Sequence, residues 1–152
     1  MNQSSCFQNN LVDLSNAPWT MHEFFAGSGL VAYGLKGMFK PIWANDISEQ
    51  KAAVYKENFG DGYFKLDDIK NIDGKNLPFA NLSWASFPCQ DLSLAGSLGG
   101  IHASRSGLVW EWLRVLDEMP NKPKILLLEN VLGLLSTNGG DNYRVLHMSL
   151  VE

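Results

Sequence analysis

Residues 21–30 read MHEFFAGSGL, and this stretch decides the fold because a strand-like run ends there in two closely spaced glycines. Met21–Phe25 predicts a short strand, and the glycines allow the chain to turn back tightly behind it. Leu30–Met38 follows with apolar residues at helical spacing, and Gly37 and Pro41 are predicted to close that helix. A strand, a glycine turn and a helix in this order are typical of the first unit of an α/β domain.

The same alternation continues along the rest of the chain. Further strands are predicted at 41–45, 63–66, 82–86 and 124–128, and further helices at 48–58, from about 104 and from near 142. Ser48 is the predicted N-cap of the second helix and Gly60 its stop. Four successive aliphatic residues, Ile125–Leu128, predict a strand buried on both faces. The pattern predicts a Rossmann-like, doubly wound, mostly parallel sheet in one domain, 21–152, after a polar lead-in, 1–20.

Composition limits the classes of protein that fit. The 152 residues suffice for one core, and no apolar run approaches the roughly 20 residues of a membrane span. The start, MNQSSCFQNN, lacks the regions of a signal peptide, so a cytoplasmic protein is expected. Cys6 and Cys89 form no C-x-x-C pair, so neither a disulfide framework nor a metal site is predicted. Twelve basic against 16 acidic residues give a net charge of −4, which is unlike a freestanding DNA binder.

Residues with chemical potential follow the predicted strands. Ligands bind beyond the carboxyl ends of parallel strands, and those ends meet at one edge of the sheet. The residues that follow the five strands in order are Phe25 with Gly27, Asp46, Asp68, Cys89 and Glu129. The sequence therefore predicts one site that all five strands help to form.

The first three strands predict a nucleoside site. Asp46 lies 19 residues after Gly27, where a carboxylate can accept hydrogen bonds from both ribose hydroxyls. Ile47 can pack on an adenine face, and Asp68, or its neighbour Asp67, can accept from the adenine amino group. The glycines alone leave two alternatives open. Residues 27–32, GSGLVA, also fit the dinucleotide fingerprint of an NAD-binding oxidoreductase, or they merely permit a tight turn.

The last two strands predict a reactive site. Pro88 fixes the backbone ahead of Cys89, and a loop rich in Gly and Ser follows, so a reactive thiol competes with an inert core cysteine. Glu129 ends the most apolar strand, where a carboxylate is costly unless it is hydrogen-bonded or used. Asn130 is expected to brace the backbone.

Six segments in order resemble the motifs of DNA cytosine-5 methyltransferases. They are FFAGSGL (24–30), WANDISEQ (43–50), LDDI (66–69), SFPCQDLS (86–93), SRSGLVWEWLRVL (104–116) and LLLENV (126–131). The Pro-Cys-Gln and Glu-Asn-Val segments together are the specific part, and an NAD enzyme does not explain them. The resemblance implies S-adenosylmethionine as cofactor, DNA as partner and a role in DNA methylation such as that of a restriction–modification system.

The resemblance also implies residue roles. Cys89 is the expected nucleophile, Glu129 the group that contacts the cytosine ring, and Arg105 a residue that positions the closed loop or a phosphate. The implied cofactor shell comprises Phe25, Gly27, Ser28, Gly29, Asp46, Ile47, Asp68, Pro88 and Leu108. A thiolate that adds to C6 of cytosine makes C5 nucleophilic, and a Glu129 held protonated by burial assists at N3. The base must be flipped out of the duplex for this chemistry.

The resemblance stops within the helix that begins near 142. Segments of the family that carry the target-recognition region are not found, and Leu30 stands where many members have glycine. The chain is therefore expected to be one part of a split enzyme that needs a second polypeptide, an inactive truncated remnant, or a fragment. A noncatalytic module that pairs with a full methyltransferase, and a tRNA substrate, are further alternatives.

Overall fold

The computed structural model describes residues 11–88, 107–130, 132, 135 and 140–151. Five strands form one sheet in the order β3-β2-β1-β4-β5, and every neighbouring pair is parallel. The strands are β1 (Trp19–Phe24), β2 (Phe39–Asp46), β3 (Phe64–Leu66), β4 (Leu82–Ala85) and β5 (Ile125–Leu128). The predicted parallel, doubly wound sheet is confirmed.

Among the described residues, four helices connect or follow these strands. They are α1 (Leu30–Gly34), α2 (Glu49–Phe59), α3 (Leu108–Glu118) and α4 (Asp141–Val151), with two 3-10 turns, Ile69–Asn71 and Gly74–Asn76, between β3 and β4. The predicted limits of α2 are confirmed. The Ser48 side chain accepts a hydrogen bond from the helix at 3.4 Å, and Gly60, at φ 83°, ends it.

The hydrophobic core has one cluster on each face of the sheet. Phe24 and Ala85 pack with α3 residues on one face, whereas Met21 and Leu82 pack with α2 residues on the other. Residues an odd number of positions apart along a strand point to opposite faces, so β1 and β4 contribute to both clusters. The central strands are therefore covered on both sides.

Two predictions about local structure are wrong. The helix α1 ends at Gly34 and does not continue to Met38, whereas Pro41 lies buried within β2, as the predicted strand 41–45 implies, beside a shift in the register between β1 and β2. The proline is tolerated there because β3 pairs only with 44–46 of β2, so no β3 ladder bond is lost. The strand β5 is not buried on both faces: Ile125, Leu126 and Leu127 are 41–47% exposed, because β5 is the outer strand of the sheet.

No helix in the described part of the chain is long and apolar enough to cross a membrane.

Candidate functional site

The carboxyl ends of all five strands lie at one edge of the sheet, because every strand pair is parallel. The glycine turn follows β1, Asp46 ends β2, and Asp68 lies just beyond β3. Pro88 and Glu129 follow β4 and β5 in the same way. The structure thus brings the described residues of the predicted nucleoside and reactive sites to one edge.

Asp46 joins the first two strand ends. Its Oδ2 accepts a hydrogen bond from the backbone N–H of Gly27 at 2.8 Å, and its Oδ1 accepts one from Ser48 at 2.9 Å. The side chain is 7% exposed. Two backbone donors fix the orientation of the carboxylate, while each oxygen keeps capacity to accept a further hydrogen bond. The 19-residue spacing therefore corresponds to a direct contact between the acid and the turn.

The backbone of the glycine turn has three positive φ angles. Phe25 is at 56°, Gly27 at 57° and Gly29 at 87°, and Phe25 is the single non-glycine case among the described residues. This conformation costs an L-residue about 1–2 kcal/mol. Strain of this kind is held in place by surrounding structure and is typical of functional sites.

The two glycines have different surroundings. A Cβ on Gly29 would lie 2.4 Å from the Phe59 ring, so this glycine lets the turn pack closely on α2. A Cβ on Gly27 would meet nothing within 4 Å. Space beside Gly27 is therefore open, whereas Gly29 is a packing residue, and Ser28 between them is exposed.

A buried carboxylate beneath the turn was missed by the sequence analysis. Glu23 is fully buried, and its two oxygens accept hydrogen bonds from the N–H of Ala32 at 3.3 Å and the hydroxyl of Tyr55 at 2.9 Å. Burial raises the pKa of Glu23 to about 7, against the opposing effect of the Tyr55 and Ala32 hydrogen bonds. Glu23 thus ties β1 to α1 and α2. Its signal was an acidic residue inside the apolar run of a predicted strand.

Side-chain hydrogen bonds hold the end of β3. Asn45 Nδ2 donates to two main-chain carbonyls there, at 2.9 and 2.8 Å. The Asp67 carboxylate accepts from Asn71 at 2.9 Å, and this contact is the largest cause that lowers the pKa of Asp67. Asp68 caps the first 3-10 turn through a 3.0 Å hydrogen bond from a backbone N–H two residues on. Both acids are therefore oriented by local structure.

A contact between the segments that follow β4 and β5 joins the two parts of the predicted reactive site. Asn130 Nδ2 donates to the carbonyl oxygen of Phe87 at 2.9 Å, which is the bracing contact expected of Asn130. The backbone N–H of Glu129 donates to the Ala85 carbonyl at 2.9 Å. The buried Phe87 ring also lies edge-on to Phe25, with centroids 6.5 Å apart. These contacts link the segment before Cys89 to both the glycine turn and Glu129.

Exposure at the edge differs from one residue to the next. Ile47 is 68% exposed beside the buried Asp46, and Pro88 is exposed as well. Glu129 is also exposed, so the expectation of a buried Glu129 is wrong, because β5 is an outer strand of the sheet in the part of the chain that the structure describes. Leu108 is half-buried and packs on the same apolar cluster as Phe25.

Two of the predicted reactive residues, Cys89 and Arg105, lie outside the described residues. Within the described part, no three His, Cys, Asp or Glu side chains are grouped so that they could hold a metal ion.

The sequence profile of one family, C-5 cytosine-specific DNA methylase, matches residues 19–152. The chain is 33% identical over 129 residues to the Type II methyltransferase M.Bsp6I of Bacillus sp. strain RFL6, covering 83% of this chain and 40% of that protein. It is 31% identical over 128 residues to the Type II methyltransferase M.BsuFI of Bacillus subtilis, covering 84% of this chain and 30% of that protein.

Solved structures show the same fold. The Dnmt2 methyltransferase of S. pombe superimposes with a TM-score of 0.63 at 23% identity, covering 86% of this chain and 39% of that one. The plantazolicin methyltransferase BpumL, solved with SAH, gives a TM-score of 0.50 at 15% identity, covering 87% of this chain and 49% of that one. This chain therefore spans less than half the length of each of these four proteins. With its profile match, its relatives above 30% identity and its all-parallel sheet, the chain belongs to the C-5 cytosine-specific DNA methylase family.

Proposed function

We propose that this chain is the cofactor-binding and catalytic part of an enzyme that methylates C5 of cytosine in DNA. The observation that carries the proposal is the hydrogen bond from Gly27 to the buried Asp46 carboxylate, with Ile47 exposed next to it. A fixed acid, an open glycine turn and an exposed apolar side chain together suit a ribose with a flat base attached. S-Adenosylmethionine, which carries such an adenosyl group, supplies an electrophilic methyl group when bound.

The residues that follow β1 to β4 form the proposed cofactor shell. Each Asp46 oxygen accepts one backbone hydrogen bond and can accept a further one from a ribose hydroxyl. Ile47 covers one face of the adenine. Asp68 accepts from the adenine amino group, since its carboxylate is held at the end of β3. The shell is completed by Phe25, Gly27, Ser28, Gly29, Pro88 and Leu108.

Cys89 and Glu129 are the proposed catalytic residues. The Cys89 thiolate forms a bond to C6 of cytosine, which places electron density on C5. C5 would then take the methyl group from the sulfonium of bound S-adenosylmethionine, and the electron pair of the broken S–CH3 bond would stay on sulfur and leave S-adenosylhomocysteine. A base then removes the C5 proton, the bond to sulfur breaks, and Cys89 is released as a thiolate. Glu129 hydrogen-bonds N3 during the addition, and Arg105 positions the closed loop or a phosphate. The cytosine is flipped out of the duplex, because the thiolate cannot reach C6 of a stacked base.

A second polypeptide is the proposed source of DNA recognition. The net charge of −4 is unfavourable for contacts to phosphates. The exposed outer strand β5 supports the same conclusion, because an uncovered aliphatic edge strand is a site at which further polypeptide pairs. The working enzyme is placed in the cytoplasm, where the Cys89 thiol stays reduced.

Calorimetric titration of the purified chain tests the cofactor site. We expect S-adenosylhomocysteine to bind and NADH not to bind. Asp46→Asn removes the charged acceptor and should weaken binding at least tenfold, since a charge-assisted hydrogen bond contributes about 1.5–3 kcal/mol. Asp61→Asn, at an exposed position before β3, is the matched control and should bind as the unmodified chain does. Binding of NADH but not of S-adenosylhomocysteine would instead support the alternative of an NAD-binding oxidoreductase.

Methyl transfer to duplex DNA tests the activity and the need for a partner. We expect little transfer by the chain alone and restored transfer when a polypeptide with the remaining family segments is added. Cys89→Ser should abolish the restored activity. An active Cys89→Ser mixture would identify a noncatalytic pairing module, and no activity in any mixture would identify a remnant. Transfer to tRNA but not to DNA would change the proposed substrate.

A further inference from the structure

Arg114 on α3 makes an unusual set of contacts to the segment that follows β3. Its Nη1 donates to the carbonyl oxygen of Ile72 at 3.0 Å, and its Nη2 donates to the carbonyl oxygen of Ile69 at 3.1 Å. These carbonyls belong to the first 3-10 turn and its end, so the guanidinium bridges the whole turn.

Two glutamates hold the Arg114 side chain in position. Glu111 accepts from Nε at 2.7 Å and Glu118 accepts from Nη1 at 2.7 Å, one turn before and one turn after Arg114 on α3. The side chain of Arg114 is 35% exposed, so these ion pairs alone contribute little stability. The two glutamates orient the planar guanidinium so that its N–H donors point at the turn. A lysine ammonium cannot reproduce this arrangement.

A second contact fixes the same segment further along. Gly74 packs so closely on α3 that an added Cβ would lie 2.1 Å from the Val115 carbonyl oxygen. Its backbone N–H donates to Glu118 at 2.9 Å, which is the largest cause that lowers the pKa of Glu118. The segment from Ile69 to Gly74 is therefore attached to α3 at both ends, and Arg114 makes the attachment nearer to the site edge.

The anchored turn carries one of the proposed cofactor residues. Asp68 is the N-cap of the turn, and its Oδ1 accepts the N–H of Lys70 at 3.0 Å. Any displacement of the turn therefore displaces the Asp68 carboxylate at the end of β3. Asp67, one residue earlier, is held separately by Asn71.

We propose that Arg114 is a positioning residue for adenine recognition: by holding the Ile69–Ile72 carbonyls it sets where Asp68 meets the 6-amino group. The proposal rests on the proposed cofactor site. It predicts that a residue on the helix behind the sheet edge, which touches no ligand itself, determines which purine the site prefers.

The experiment compares two ligands that differ at the purine 6-position. S-Adenosylhomocysteine offers an amino group to Asp68, whereas S-inosylhomocysteine offers a carbonyl oxygen. We expect the unmodified chain to prefer the adenine form in calorimetric titrations, and Arg114→Met to reduce that preference about tenfold, the effect of one lost hydrogen bond. Arg114→Lys should keep the charge but recover little of the preference. A role in stability alone would lower the melting temperature without changing the ratio of the two dissociation constants.

Controls separate the possible failures. Lys122→Met removes an exposed cation that follows α3 and pairs with Asp117 near the C-terminal end of that helix. This variant should leave the preference for the adenine form unchanged. Glu111→Gln is a milder change for the case in which the Arg114 variants do not fold, and it should lower the preference by a smaller factor. Folded Arg114 and Glu111 variants with an unchanged preference would overturn this inference alone. An unmodified chain that binds neither ligand would overturn the proposed function as well.

Discussion

The glycine-turn side and the outer-strand side of the sheet differ in how completely the chain's own residues cover them. On the first side, the buried polar groups Glu23, Asn45 and Asp46 are hydrogen-bonded by the glycine turn, α1, α2 or the end of β3. On the second side, three of the four β5 residues are exposed by 41–47%, and Glu129 is exposed after them. A closely packed side and an exposed side therefore lie next to each other in one sheet. Substitutions should cost more stability on the first side than on the second.

The largest effect is expected at Gly29, where the glycine-turn side is most closely packed. Gly29→Ala should lower the free energy of unfolding by about 4 kcal/mol, because its Cβ meets the buried Phe59 ring at a φ of 87°. Gly37→Ala is the matched control, since Gly37 has a φ of 86° but nothing within 4 Å. It should cost about 1–2 kcal/mol. Urea unfolding checks both, and equal losses would show that packing on α2 is not what Gly29 provides.

A smaller effect on stability is expected from substitutions at a pair of residues, one on β4 and one on β5, that are partners across the boundary between the two sides. Leu82 of β4 and Ile125 of β5 are partners in the same register, yet Leu82 is 1% exposed and Ile125 is 47% exposed. Leu82→Ala should cost about 3 kcal/mol, whereas Ile125→Ala should cost about 1 kcal/mol or less. Thermal or urea unfolding of the chain alone measures the difference.

The same pair can show whether the outer strand is covered in the complete enzyme. If the proposed partner pairs with β5, Ile125→Ala should weaken assembly more than it weakens the fold of the chain alone. Similar losses for Leu82→Ala and Ile125→Ala in the isolated chain would contradict the contrast between the two sides.

Most of the fold was predictable because it follows from local patterns. The order of strands and helices, the cap at Ser48 and the stop at Gly60 depend on residues close in sequence, and all are confirmed. The contact between Asp46 and the glycine turn could also be predicted, since parallel strands bring their carboxyl ends together. In these cases the signal and the structure it predicts lie on the same short segment or on adjacent strands.

The features that were mispredicted depend on what lies beside a residue in space. Four aliphatic residues indicate burial, but β5 is exposed because no strand of the described chain lies outside it. The helix predicted over Leu30–Met38 ends at Gly34, and β2 already begins at Phe39. Arg114 lies in the mostly apolar helix α3, and its contacts to the turn after β3 leave no local signal.

The smallest effect is the pH dependence of stability that the buried Glu23 on the glycine-turn side produces. The pKa of Glu23 is raised from 4.5 to about 7 in the folded chain, so the folded state binds an extra proton between these values. The free energy of unfolding should therefore fall as the pH rises, by about 2 kcal/mol between pH 5 and 8. Glu23→Gln removes the titrating group and should remove this loss, whereas Glu129→Gln changes an exposed side chain and should not.

The difference between the unmodified chain and Glu23→Gln separates the contribution of Glu23 to the pH dependence from that of its neighbour in β1, His22. Burial lowers the pKa of His22, so His22 contributes stability that is lost as the pH falls, in the opposite direction to Glu23. The slope of the unmodified chain contains both contributions, but subtracting the Glu23→Gln curve leaves that of Glu23. Urea unfolding at pH 5, 6, 7 and 8 supplies the curves. Parallel curves for the unmodified chain and Glu23→Gln would mean that Glu23 titrates alike in the folded and unfolded chain. Burial of Glu23 would then not distinguish the glycine-turn side from the exposed side.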